Sequence, residues 1–429
     1  MVQKKNILNF LGIFLLFMIP AFTISKFIDF DKASAVAFLL VSGILLYLNR
    51  SKIDLQKMAF PVLYVVLIKT KIGLSFMNKL AERYKEFIKL LGLIFIGIGF
   101  VGMIQIVISF VIMIFNMIRS PLETSKGVSL VVPFTNIPGI GYLSFWHFLI
   151  GVFVVVVIHE FAHGVVARAH DLEVKSSGVG FFAIFIPLIP LAFVEPDEKK
   201  IQKEKDHVQY SVFAAGPSIN IIVAFIIMLL LPYVSNPYAY APFEEKITEP
   251  MGISFSDIQE GYPAEESGLS PNTLIDKFDG QAIKDYEDFL KHMQNTLPGQ
   301  NVTLSSKTES FTITTTSHPE NETTWAYLGV IGVKNEREVK SEYMDIKAAF
   351  YWFKGLFKWL FILNFIVGLM NLLPIYITDG GRMFGLALTK IVKDKTKATR
   401  IYSMIALLFL ATILTALIIN YGSKLIGLV

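Results

Sequence analysis

Long apolar runs, separated by short polar stretches rich in lysine, organise this chain. A membrane-crossing helix takes ~20 mostly apolar residues. Residues 7–27, 33–48, 90–118, 145–167, 212–234, 356–373 and 401–419 meet or approach that length. Two further apolar stretches are short. Residues 59–68 are too few to cross. Residues 181–194 contain Pro187 and Pro190, and proline denies a regular helix because it has no amide donor and clashes with the preceding turn. That stretch is expected to be a re-entrant or hairpin element, which survives at membrane depth only under cover of protein or beside a cavity. The run at 7–27 follows Lys4 and Lys5, as a cleaved leader would. It is longer than a typical leader core and shows no small-x-small cleavage site, so a retained helix is expected.

Between residues 241 and 339 the pattern changes. Ser, Thr, Asp, Glu and Gly dominate, residues 301–305 and 311–316 alternate as strands do, and residues 286–294 read as a helix. An inserted, soluble α+β domain of about 100 residues is expected there. The fold class is therefore a polytopic α-helical membrane protein, about seven spans plus the re-entrant element. It divides into an N-terminal membrane region (1–144), a first core part (145–240), the soluble domain (241–339) and a second core part (340–429).

Composition agrees. Charged residues make up 17% of the chain, where soluble domains carry about 25%, so much of the length belongs in lipid. The net charge is only +4 and no basic run is interleaved with aromatics, which leaves nucleic-acid binding without support. Cysteine is absent. That excludes disulfides and thiolate ligands, so a metal would have to use His and carboxylates. Most loop Lys and Arg fall on one side of the threading, which makes that side cytosolic and puts the soluble domain outside.

Within the run at 145–167 stands His159-Glu160-Phe161-Ala162-His163. Two His at i and i+4 share a helix face and can reach one Zn²⁺. The Glu beside the first is placed to take a proton from water activated at the metal. Ionisable groups inside a membrane helix are costly unless paired or functional; the metal site is the expected reading, with an interhelical hydrogen-bonding cluster as the alternative. Zinc needs a third protein ligand. His147, His170, His207, His292 and His318 read as surface or interfacial, so a carboxylate is the better source. Asp379 is the leading candidate: Pro374 breaks the helix before it and Gly380-Gly381 allows a tight turn. Taken alone it could equally cap a helix, and Glu195 and Asp197 are the next carboxylates to consider. A third cluster, Ala214-Ala215-Gly216-Pro217-Ser218-Ile219-Asn220, brings small residues for close helix approach. Its Asn220 could bond a substrate carbonyl or merely a neighbouring helix.

These elements together resemble the site-2 protease family of intramembrane metalloproteases. That family's pattern is H-E-x-x-H in one span, Gly-Pro in a following span, and N-x-x-P-x-x-x-x-D-G in a later one. The matches are His159, Glu160 and His163; Gly216 and Pro217; and Asn371, Pro374, Asp379 and Gly380. The resemblance covers roughly residues 145–382 and implies zinc ligands His159, His163 and Asp379, with Glu160 as general base. It also implies regulated intramembrane proteolysis of transmembrane protein or peptide substrates, with Asn220 and Asn371 near the substrate. The insert resembles the PDZ domain many members carry, with 261–269 as its turn and short helix and 274–280 as a strand and tight turn. Thr378 stands where the family usually has Leu. The expected location is the plasma membrane of a prokaryote, the site near the cytosolic side and the PDZ-like domain extracytosolic. A metal-ion transporter would need more intramembrane polar ligands and repeat symmetry, which the sequence does not show. A non-catalytic scaffold with a relic site would not keep His, Glu and Asp intact.

Overall fold

A computed structural model describes residues 16–59, 63–121, 124, 128–137, 140–184, 186–236, 242–318 and 325–425. Chain contacts divide it into two units, Met1–Phe225 with Trp359–Val429, and Ile226–Lys358. The principal elements are α1 (Phe30–Leu48), β1 (Ile53–Ala59), β2 (Leu63–Thr70), α2 (Leu74–Arg83), α3 (Lys85–Arg119), α4 (Phe145–Ala169), β3 (Val174–Ile184), β4 (Ile186–Pro196), α5 (Asp206–Leu230), α6 (Lys347–Met370), α7 (Asp379–Val392) and α8 (Lys395–Leu425). Among the described residues, six helices are long and apolar enough to cross a membrane: α1, α3, α4, α5, α6 and α8. The expected first span, 7–27, lies outside the described residues up to residue 15.

The described residues of the two short apolar stretches are strands. Ile53–Ala59 pairs antiparallel with Leu63–Thr70 as β1 and β2, and Val174–Ile184 with Ile186–Pro196 as β3 and β4. β2 pairs antiparallel with β3, giving one sheet in the order β1-β2-β3-β4. The β-branched residues Val65, Val66, Ile68 and Thr70 of β2 suit a pleated surface. Pro187, Pro190 and Pro196 fall on β4, an edge strand, where a missing amide donor costs no ladder bond.

The first unit packs through small residues. A Cβ on Gly99 of α3 would lie 3.1 Å from Ala214 of α5 and 2.9 Å from Met383 of α7. Small residues on facing helices thus set the backbone separation. The core around this contact includes Phe95, Met103, Val166, Ala215, Leu372 and Met383.

Helix α4 has well-defined ends. Ser144 caps it, accepting from the His147 amide, while Asp31 of α1 accepts from the Phe145 amide at 2.8 Å. At the other end Asp171 turns left-handed (φ 61°). The Leu172 amide then closes on the Ala167 carbonyl, and the Asp171 amide on that of Arg168, the bond pair that terminates many helices. Lys85 of α3 holds Asp171 at 2.6 Å and keeps its carboxyl below the usual range.

In the second unit the helix Tyr286–Gln294 is capped by Asp285, which accepts from the Asp288 amide. The strand Asn301–Ser305 pairs with Ser310–Thr314. A longer pair joins Thr248–Ile258 to Val330–Val339. Pro263–Glu266 forms a short helix between Gly261 (φ 77°) and Gly268 (φ 79°), and Asp279 and Gly280 (φ 49° and 79°) turn the chain after Lys277–Phe278. Ile253, Phe255, Ile275, Phe278, Phe289 and Leu304 form its core.

Candidate metal centre

The i, i+4 spacing of His159 and His163 turns both imidazoles to one side of α4, where both are largely buried. Asp379, the first residue of α7, comes from 216 residues further along the chain. His159 Nε2 lies 3.1 Å from Asp379 Oδ2, His163 Nε2 lies 3.2 Å from the same oxygen, and the two Nε2 atoms are 3.2 Å apart. Among the described residues this is the one group of three His, Asp or Glu side chains that could hold a metal ion.

Two observations bear on whether zinc fits. The first is spacing. Ligands at 2.0–2.1 Å around a tetrahedral Zn²⁺ stand about 3.3 Å from one another, close to the three separations found. The second is protonation. His163 Nδ1 donates to the Val212 carbonyl at 2.6 Å. His159 Nδ1 faces the Asn220 amide at 3.2 Å, and the other end of that amide is buried without a partner. Amide orientation is assigned from the network: turned over, Asn220 Oδ1 accepts the His159 Nδ1 proton. Both Nε2 atoms then present lone pairs toward a carboxylate oxygen. Three acceptors converging at this distance call for a cation between them, and N₂O is a zinc donor set.

Helix α5 makes the room. A Cβ on Gly216 would lie 2.6 Å from His159 Nε2 and closer still to His163 Nε2. Pro217 returns no hydrogen bond to the Phe213 carbonyl, next along the helix from the Val212 carbonyl that accepts from His163. Asn220, one helical turn beyond Gly216, shares its face. It is fully buried against His159 and is not among the residues that line the cleft into which the donors open.

The segment before Asp379 is built around Thr378. Its hydroxyl caps α7, accepting from the Gly381 amide at 3.1 Å and donating toward the Leu373 and Ile375 carbonyls. Thr378, and not Asp379, is therefore the cap, and the Asp379 carboxylate is free to turn toward the His pair. Gly380 and Gly381 are helical and do not make the tight turn expected of them. They are needed because a Cβ would strike the Leu372 and Ile375 backbone. Asn371 lines the cleft, its Nδ2 donating to the Val367 carbonyl at 3.1 Å.

The donors open into a cleft of about 790 Å³. One sheet face forms a wall, with Leu67, Leu191 and Phe193 in the middle and Lys69 and Glu195 at the rim. Glu160 accepts from the Val194 amide at 2.9 Å. That amide points away from β3, along the free edge of β4, so the strand edge and the glutamate meet. Lys69 bridges Asp54 and Glu195, and the Ser176 hydroxyl with Lys69 holds the Glu195 carboxyl below its ordinary range. Asp197 pairs with Lys175 at 3.2 Å, and Arg382 pairs with Glu198 at 3.0 Å. Glu195 and Asp197 are thus engaged at the rim and stand apart from the His pair.

Membrane-length helices around a buried His, His, Asp group that could hold a metal ion, with a glutamate beside the first His, define an integral membrane protein of the H-E-x-x-H class. The chain belongs to peptidase family M50: that family's model matches residues 147–414, more than half of its length. "Uncharacterized protein MJ0971" of Methanocaldococcus jannaschii is 27% identical over 379 residues, 86% of this chain and 88% of the relative. "Putative zinc metalloprotease RC0203" of Rickettsia conorii is 26% identical over 200 residues, 40% of this chain and 53% of the relative. The chain thus spans about half the length of the Rickettsia protein and most of the archaeal one.

Proposed function

We propose that this protein is a zinc endopeptidase that cuts transmembrane segments of other proteins within the bilayer, the chemistry of regulated intramembrane proteolysis. The observation that carries the reading is the convergence of His159, His163 and Asp379 with Glu160 at the strand edge. His159, His163 and Asp379 would hold the ion, which when bound acidifies water and polarises the scissile carbonyl. Glu160 takes the proton and delivers it to the leaving amine. Asn220 fixes the tautomer and direction of His159, as outer partners of ligating His do. An extended substrate adds beside β4, one wall of the cleft, and Asn371 meets it from the other. A helical substrate must unwind locally to do so.

The site faces the cytosolic side, and residues 241–339 form an extracytosolic PDZ-like domain that governs access. The membrane segments 145–240 and 340–429 form the catalytic core, and 1–144 an N-terminal membrane region. The test is cleavage of a model transmembrane substrate by purified protein, with metal analysis. Glu160→Gln is expected to keep zinc and lose at least ~100-fold in rate. Near wild-type cleavage by that variant would refute the assignment.

A further inference from the structure

An apolar groove of about 710 Å³ runs along the first unit between α2, α3 and α4. Its walls include Leu80 on α2, Tyr84 between α2 and α3, Ile88 and Leu91 on α3, and Phe161 and Val165 on the side of α4 away from His159 and His163. The ring of Phe76 stacks on Phe161 at 5.6 Å and joins α2 to α4 at its flank. The catalytic cleft lies elsewhere, and the two cavities share no lining residue.

Two features identify an occupant. One is length. The groove runs from Tyr84, the N-cap of α3, to Phe95 on it, about 16 Å at 1.5 Å per residue, and one leaflet of a bilayer is about 15 Å of hydrocarbon. The other is charge. Phe76, Lys79, Leu80, Arg83 and Tyr84 recur at i, i+3, i+4, i+7 and i+8, so the two cations flank the groove-lining side chains at its α2 end. The Arg83 guanidinium lies 5.3 Å from the Tyr84 ring centroid. Neighbouring Lys85 and Lys89 are bound to Asp171 and Glu86. Lys79 and Arg83 have no carboxylate partner among the described residues.

We propose that this groove holds one acyl chain of an anionic phospholipid, its phosphate gripped by Arg83 and Lys79. The lipid packs against the back of the helix that carries both His donors. Protein of full length, stripped of lipid in detergent, would be exposed to mixed vesicles of equal phosphatidylglycerol and phosphatidylcholine. Retained lipid is then counted by native mass spectrometry. Wild type is expected to keep one phosphatidylglycerol, preferred about tenfold over phosphatidylcholine. Arg83→Ala with Lys79→Ala should bring that preference to near one. Leu91→Trp, and separately Leu80→Trp should the first fail to fold, should fill the groove and lower retention of both lipids.

Equal retention of the two lipids by wild type would overturn the proposal, as would a preference that survives loss of both cations. Unchanged retention in the folded Trp variants would do the same. If those variants kept phosphatidylglycerol but no longer captured a transmembrane helix peptide, the groove would be a dock for a protein helix and the lipid assignment would fall.

Discussion

Gly216→Ala adds one methyl group at the point where α5 meets the two imidazoles. The new Cβ would stand 2.6 Å from His159 Nε2 and nearer to His163 Nε2, against 3.4 Å for ordinary van der Waals contact. Close to 1 Å must be found. Neither ring can supply it freely, because His163 is held from behind by Val212 and His159 by Asn220. Either α5 moves or the donor triangle opens. Overpacking of this kind costs about 1–3 kcal/mol. Charged against metal binding at 1.4 kcal/mol per factor of ten, that weakens zinc about 5- to 150-fold. The assay is zinc bound per chain against chelators of graded strength. Gly97→Ala serves as control: it adds the same methyl on α3, where no atom lies within 4 Å, and should leave affinity unchanged. A folded Gly216→Ala protein whose zinc affinity stays within about twofold of wild type would refute the assigned location of the ion.

Asp379→Ala removes one of three donors and should lower bound zinc together with activity, so full zinc occupancy in that variant would assign the third ligand elsewhere. Asn220→Ala should weaken zinc by about 10- to 100-fold while Asn220→Asp, which keeps an acceptor behind His159, should lose much less; equal effects of the two would dismiss the positioning role. Replacing residues 244–335 by a short flexible linker should leave zinc binding and cleavage of a small substrate intact while changing selection among larger ones. Loss of all cleavage in a folded, zinc-loaded deletion protein would put the domain inside the catalytic machinery.

The membrane helices and the H-E-x-x-H pair could be read from the chain because both are local: one needs only a run of apolar residues, the other one turn of helix. The inserted elements were legible for the same reason, and 286–294 and 301–305 appear with the expected bounds. The four-stranded sheet was not. Its hairpins lie about 100 residues apart in sequence, and register such as Leu67 with Gly180 is set by contacts no local pattern records. The role of Asn220 was half visible. Its spacing of four from Gly216 puts both on one face, but only the fold shows that face turned toward the imidazoles. Thr378, a departure from the family pattern, is explained by the cap it supplies, which a T-D-G-G start to a helix would have suggested.

The separation of the donors along the chain also bears on synthesis. His159 and His163 leave the ribosome 220 and 216 residues before Asp379. At 5–20 residues per second the interval is about 10–40 s. Throughout it the nascent chain holds only part of the proposed centre, so α4 would enter the bilayer before the donor set is complete. On the proposed assignment the donor set is complete only when α7 arrives, so about the last eighth of the polypeptide would time the start of metal binding.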